Sequence, residues 1–149
     1  MTLTARKRFV TDASVILKWF SRSGESDLKR ALQLRDDFRS RKIDLYSPDL
    51  LIYEIANVLR YKETLKEELI YRAVSSVYDM DILLPVNLSI MISAVVLARK
   101  YGITVYDSCY VSFAQIAGCP LVTADKKLYQ SIKELPGILY ISEYDSEMR

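Results

Sequence analysis

Phe9-Val10-Thr11-Asp12-Ala13-Ser14-Val15-Ile16-Leu17-Lys18-Trp19-Phe20 is the stretch whose reading decides the fold. Arg8 to Asp12 reads as a short apolar strand, and Ala13 to Ser21 as a short helix that follows with no linker. A buried strand running straight into a helix is the opening of a βαβ unit, and so of a parallel sheet. Asp12 stands at the turn between the two. A carboxylate at the end of a buried strand is costly unless something uses it. The plain alternative is that Asp12 caps the helix behind it, a position that Asp favours.

Working outward, the same pattern returns twice. Ile103 to Tyr106 reads as a strand, then Asp107 opens a helix of small and apolar residues ending at Gly118. Pro120 to Ala124 reads as a strand, then Asp125 opens a basic helix with Lys126, Lys127 and Lys133. Between these and the opening stretch, Ser23-Gly24 is a break and Glu25 to Arg41 is an amphipathic helix. Ile43 to Tyr46 is a strand, and Ser47-Pro48-Asp49 starts a helix that runs to Lys62. Thr64 to Tyr78 is a helix whose Thr64 and Glu67 make the capping-box pattern. Ile82 to Val86 is a strand, Leu88 to Tyr101 an apolar helix closed by Gly102, and Ile138 to Ile141 a last strand. From about residue 142 the tail is polar and is expected to fray. Strands alternating with helices define an α/β fold with a mainly parallel central sheet flanked by helices. One such domain is expected over residues 1–149, with no repeat or linker.

Composition narrows the chemistry. The chain contains no histidine. Ser-His-Asp and Cys-His triads are therefore excluded within it, as is any histidine metal site. A catalytic metal would be held by oxygen, which selects Mg²⁺ or Mn²⁺ over Zn²⁺. The net charge of +2 does not by itself announce nucleic-acid binding. Cys109 and Cys119 lack CxxC spacing and read as small buried residues in a reducing compartment. Arg6-Lys7-Arg8 is followed by a run broken by Asp12 and Lys18, so no signal peptide is expected. No stretch approaches the roughly 20 apolar residues of a membrane span. The expectation is a cytoplasmic protein without a membrane partner. Most of the 11 tyrosines are expected to fill the core, with stacking on bases or on a partner as the alternative.

Three strand-to-helix junctions all closing with Asp, at Asp12, Asp107 and Asp125, weigh against capping alone. In open parallel sheets, ligands bind outside the carboxyl ends of the strands, where all three are expected. Glu54 is the fourth member. It lies in a helix read as apolar all round (Leu50, Leu51, Ile52, Tyr53, Ile55, Ala56, Val58, Leu59), with Asn57 as its one polar neighbour. Such a helix is expected to be buried on more than one side, by core and by a partner chain. A buried Glu needs a partner, either a basic residue such as Lys18 or Arg60, or a cation shared with the aspartates. A carboxylate-held Mg²⁺ or Mn²⁺ suits phosphodiester hydrolysis. A phosphatase with Asp12 as nucleophile fits less well, because position 14 is Ser and the usual second Asp is missing.

Thr11-Asp12-Ala13-Ser14-Val15 with Lys18-Trp19-Phe20 resembles the opening of PIN-domain proteins. The run from Pro48 through Glu54 to Leu59, Asn57 included, resembles their glutamate-bearing helix. Tyr106-Asp107-Ser108 and Leu121-Val122-Thr123-Ala124-Asp125-Lys126-Lys127-Leu128 resemble their third and fourth acidic motifs. The likeness covers about residues 7 to 140, and at this length it is strongest to the VapC toxins of VapBC toxin–antitoxin pairs. It implies a Mg²⁺- or Mn²⁺-dependent ribonuclease, dimeric, inhibited by a small VapB-like antitoxin. Asp12, Glu54, Asp107 and Asp125 would be its metal-binding and catalytic carboxylates. Ser14, Asn57 and Thr123 would support them. Lys18, Arg22, Lys126 and Lys127 are candidate contacts to RNA phosphates, with a solvated helix face as the alternative. A PIN-type RNA-processing nuclease that is not a toxin remains the other reading.

Overall fold

A computed structural model describes residues 5–20 and 27–147. Arg22, the Ser23-Gly24 break and the start of the helix expected from Glu25 lie outside the described residues. The elements run β1 (Lys7–Thr11), α1 (Ala13–Lys18), α2 (Leu28–Arg39), β2 (Ile43–Pro48), α3 (Leu50–Leu59), α4 (Glu67–Asp79) and β3 (Leu83–Leu84). They continue as α5 (Leu88–Tyr101), α6 (Val105–Ala117), β4 (Leu121–Thr123), α7 (Lys126–Ile132) and β5 (Ile138–Tyr140).

The sheet is five-stranded in the order β3-β2-β1-β4-β5, and every pairing is parallel. β1 is its central strand, with Val10 opposite both Tyr46 of β2 and Leu121 of β4. Phe9, Val10, Leu45, Leu121 and Val122 are buried, as central parallel strands covered on both faces must be. Strand order grows outward from β1 in both directions, so a topological switch point lies between β1 and β4. That is where an open parallel sheet leaves a crevice at its carboxyl edge.

Four expectations change in the structure. No strand forms at Ile103 to Tyr106. Gly102, at φ 66°, ends α5 in the left-handed conformation. The chain then turns by 118° into α6, which starts at Val105. Asp107 therefore lies in the first turn of a helix at a helix–helix corner, not at a strand end. The β-branched residues there misled because α6 is selected by burial, not by propensity. Ser108 through Ala114 are all buried, and the helix packs on β1, β2 and β4. Second, α4 starts at Glu67 behind Lys66 with no side-chain cap, so Thr64 forms no capping box.

Third, α3 is not buried all round. Leu51, Ile52, Ile55 and Leu59 face the core, while Tyr53 and Val58 are exposed. The tyrosines follow suit. Only Tyr110 and Tyr144 are buried, and Tyr53, Tyr61, Tyr71, Tyr78 and Tyr106 are exposed. Apolar composition had suggested burial of α3 by core and by a partner chain; among the described residues the core covers one side and nothing covers the other.

Fourth, the tail is anchored. Ile141–Glu143 form a turn of 3-10 helix, and Ile141 and Tyr144 are fully buried. The Tyr144 hydroxyl donates to Asp37 at 2.7 Å, and its ring meets Phe9 edge-on at 5.6 Å between centroids. One aromatic residue outweighs the polar character of the segment around it, because its ring buries a large apolar area.

Candidate active site

Asp12 follows β1 directly and is 4% exposed. It occupies the cap position of α1, yet its side chain makes no cap bond. Instead Ser14 Oγ donates to Oδ1 and Thr123 Oγ1 donates to Oδ2, each at 2.5 Å. The two hydroxyls are themselves fixed. Ser14 Oγ accepts from the Ala124 N–H at 2.8 Å, and Thr123 Oγ1 accepts from the Asp125 N–H at 3.1 Å. Both β1 and β4 thus contribute to one bonded unit at the crevice. Burial is the largest influence on Asp12 and, with Asp125 adding repulsion, raises its pKa to about 6 against the pull of the two hydroxyls.

Asp125 caps α7 with Oδ1, which accepts from the Leu128 N–H at 3.0 Å. For this residue the capping interpretation holds, and it leaves the other oxygen to the crevice. At the corner between α5 and α6 the cap is Thr104, whose Oγ1 accepts from the Asp107 N–H at 3.1 Å. The Asp107 carboxyl is therefore free of capping duty. Burial, then Asp125, raises its pKa.

Glu54 projects from α3. Its Oε1 is buried and has no hydrogen-bond partner. Burial comes first, then Asp107, in raising its pKa to about 7, with Asp12 and Asp125 adding to it. The four carboxyl groups thus feel one another from four different elements, and the three raised acids share the same pair of causes. Among the described residues, no three such side chains stand close enough to grip one ion together. Mg²⁺ does not require that. It is commonly held by one or two carboxylates, with water and substrate phosphate completing the shell. An all-oxygen donor set, mutual repulsion and an orphaned carboxylate oxygen fit such a cation.

Between Thr104 and Asp107 on one side and Asp125, Lys127 and Ser131 on the other lies a depression of about 140 Å³. Lys127 is thereby beside the carboxylates, while Lys126 is exposed at the start of α7 and Lys18 is half-buried at the end of α1. Asn57 is not brought to the cluster. It is exposed, and its Oδ1 accepts from Arg60 Nε at 2.7 Å. A larger hollow of about 470 Å³, lined by Arg6, Arg39, Arg41 and Asp44 among others, contains none of the four carboxylates. Two residues went unnoticed in the sequence. Thr104-x-x-Asp107 is a cap spacing that the expected strand obscured. Tyr110 follows Asp107 by three residues, hence on the same helix face.

These features define an α/β domain with an acidic crevice at the switch point of a parallel sheet. The PIN domain model matches residues 9–133, and the chain belongs to that family. Ribonuclease VapC3 of Pyrobaculum aerophilum is 29% identical over 134 residues, spanning 86% of this chain and 97% of that protein. Among solved structures, PAE2754 from Pyrobaculum aerophilum superposes with a TM-score of 0.68 at 21% identity, covering 91% of this chain and 85% of that one. FitAcB from Neisseria gonorrhoeae gives a TM-score of 0.70 at 14% identity, covering 91% and 99%. A toxin–antitoxin complex from Klebsiella pneumoniae gives 0.63 at 14% identity, covering 91% and 98%. At these identities the structures attest to a shared fold.

Proposed function

We propose that the whole chain is one PIN unit acting as a Mg²⁺- or Mn²⁺-dependent endoribonuclease, the toxin of a toxin–antitoxin pair. The observation that carries this reading is the set of four carboxyl groups, Asp12, Glu54, Asp107 and Asp125, brought together at the sheet's switch point, with the proton affinities of Asp12, Glu54 and Asp107 raised by burial and by one another's charge. The curated relative named as a VapC ribonuclease supports the activity, and the toxin–antitoxin complex among the structural neighbours supports a small antitoxin as partner. The reading includes a cytoplasmic location, where RNA and a small antitoxin would both be met. Among the described residues, no single helix is long and apolar enough to cross a membrane.

The residues divide the work as follows. Asp12, locked by Ser14 and Thr123, is the rigid member among the residues that would hold the cation. Asp125, Asp107 and Glu54 would contribute further oxygens, directly or through water. When bound, the cation polarises the phosphoryl oxygen and lowers the pKa of water. Lys127 beside the depression, with Lys126 and Lys18 as further candidates, would neutralise the RNA phosphates, and Arg22, outside the described residues, is a candidate by its sequence position alone. A phosphatase using Asp12 as nucleophile fits less well, because position 14 is Ser and the second Asp such an enzyme would use is missing.

A second copy is the proposed occupant of the exposed face of α5. Leu88, Met91, Ile92, Val95 and Val96 recur at helical spacing and are all exposed, while Ile90, Ala94 and Leu97 face the core. The deciding experiment is cleavage of a defined RNA panel in EDTA, Mg²⁺ or Mn²⁺. Cleavage is expected with either ion, none in EDTA, and none with Asp12→Asn. Full metal-dependent cleavage by a folded Asp12→Asn protein sinks the proposal.

A further inference from the structure

We propose that Arg60 is a substrate-binding residue, and that the exposed strip of α3 from Tyr53 to Tyr61 carries a single RNA strand into the acidic crevice. The Arg60 guanidinium takes a backbone phosphate, and the Tyr53 ring takes a base. The inference rests on the ribonuclease reading above and names the surface along which that substrate lies.

Glu54, Asn57 and Tyr61 stand at i, i+3 and i+7 on α3 and the turn that follows it, and Tyr53, Asn57 and Arg60 at i, i+4 and i+7. These spacings make one strip that starts beside Glu54 and reaches Arg60 about 9 Å further on, at about 1.5 Å per residue. Tyr53, Asn57, Arg60 and Tyr61 are all exposed, Tyr53 at 75% and Tyr61 at 66%. Leu51, Ile52, Ile55 and Leu59 fill the opposite, core side of the helix.

Arg60 is held ready on this strip. Its Nε donates to Asn57 Oδ1 at 2.7 Å, its guanidinium carbon lies 3.6 Å from the centre of the Tyr61 ring, and a terminal nitrogen reaches the Tyr61 hydroxyl. A long side chain ordinarily loses rotamer freedom when it binds. Here an amide and a ring, both uncharged, have ordered it in advance without neutralising it. Asn57, which the crevice does not use, thereby acquires a role. Among the described residues Arg60 forms no ion pair, whereas Arg72 on α4 is paired with Glu68 at 2.9 Å. Residues 57–66 add Lys62 and Lys66 against Glu63 alone. A pre-oriented guanidinium that keeps its full charge suits a phosphate. An exposed tyrosine ring on the same strip suits an unstacked base. An acidic peptide would answer the charge alone; cation and open ring together favour a single nucleic-acid strand.

An RNA of the panel that the wild type cleaves is labelled, and its binding to full-length Asp12→Asn protein in Mg²⁺ is followed by fluorescence anisotropy over a range of salt. Adding Arg60→Ala is expected to weaken binding about tenfold. It is also expected to lower the slope of log Kd against log salt by about 0.7, the share of one phosphate on a single strand. Arg60→Lys is expected to keep the slope and recover part of the affinity. Asn57→Ala is expected to weaken binding less, and to add nothing beside Arg60→Ala. Tyr53→Phe is expected to bind as the parent does, and Tyr53→Leu about tenfold more weakly. All three positions are exposed, so unfolding temperatures are expected to stay near the parent's. Unchanged affinity and salt slope in Arg60→Ala overturn the proposal and leave the ribonuclease reading standing. Variants that bind RNA as the parent does but sediment at a smaller mass assign the strip to a second copy, which also overturns it. A wild type that neither cleaves nor binds any RNA of the panel overturns the ribonuclease reading, and the proposal falls with it.

Discussion

Two hydroxyl donors at 2.5 Å do not hold Asp12 at the ordinary carboxylate pKa in a metal-free crevice, because burial outweighs them. The consequence is a pH dependence with a definite sign. Asp12 rises from 3.8 to about 6 and Glu54 from 4.5 to about 7, so the folded chain holds protons that the unfolded chain has released. Metal-free stability should therefore fall as pH climbs from about 4 to about 7, and level off above that. For Asp12 alone the shift corresponds to on the order of 3 kcal/mol. Glu54, more exposed, adds less than its shift suggests. Thermal unfolding in EDTA is expected to show a lower midpoint at pH 8 than at pH 5, with a flatter profile for Asp12→Asn. A wild-type midpoint that does not fall between those pH values contradicts this account of the carboxylates. At this scale the sequence was informative about position and silent about partnership. A charge after a buried strand is visible in the residue order, but Ser14 and Thr123 meet on Asp12 only because β1 and β4 are neighbours.

At the scale of elements, the strand–Asp–helix units at Asp12 and Asp125 were legible because a buried apolar run that ends on a carboxylate has few other meanings. The unit at Asp107 was not what it seemed in sequence. Ile103, Thr104 and Val105 have strand propensity, yet the chain there turns a corner and enters a buried helix. Tertiary burial decided the conformation, as it does for short β-branched runs generally. The corner itself depends on Gly102. At φ 66° a side chain is strained although a Cβ would meet nothing within 4 Å. Gly102→Ala should cost about 1 kcal/mol through the backbone alone. Urea unfolding is expected to show a lower midpoint with an unchanged slope. A variant as stable as the wild type would show that the corner is not strained. The face of α3 and the surface tyrosines were misjudged for a related reason. Composition tells which residues are apolar but not whether the chain has an element left to cover them.

For the whole molecule, the question is what covers the apolar face of α5. Five exposed large residues on one helix are more than a solitary globular protein usually leaves open. If a second copy is seated there, Val96→Lys, at a position 61% exposed in the single chain, should leave the fold intact and convert dimer to monomer. Sedimentation velocity reads this directly. A wild-type chain that sediments as a monomer at micromolar concentration removes the homodimer from the proposal.

The seating of Tyr144 has a practical corollary for attaching this molecule to a surface. Lys7 Nζ donates to the Ser146 carbonyl at 3.1 Å, and Tyr144 lies against Phe9, so the end of the described chain is tied to the starting end of β1. Asp12 lies beyond the other end of that strand, roughly 17 Å away at about 3.3 Å per residue. A tether or fluorophore attached after residue 147 would leave on the side away from the acidic crevice. Immobilised in that orientation, the protein presents its crevice outward, to single RNA molecules in flow.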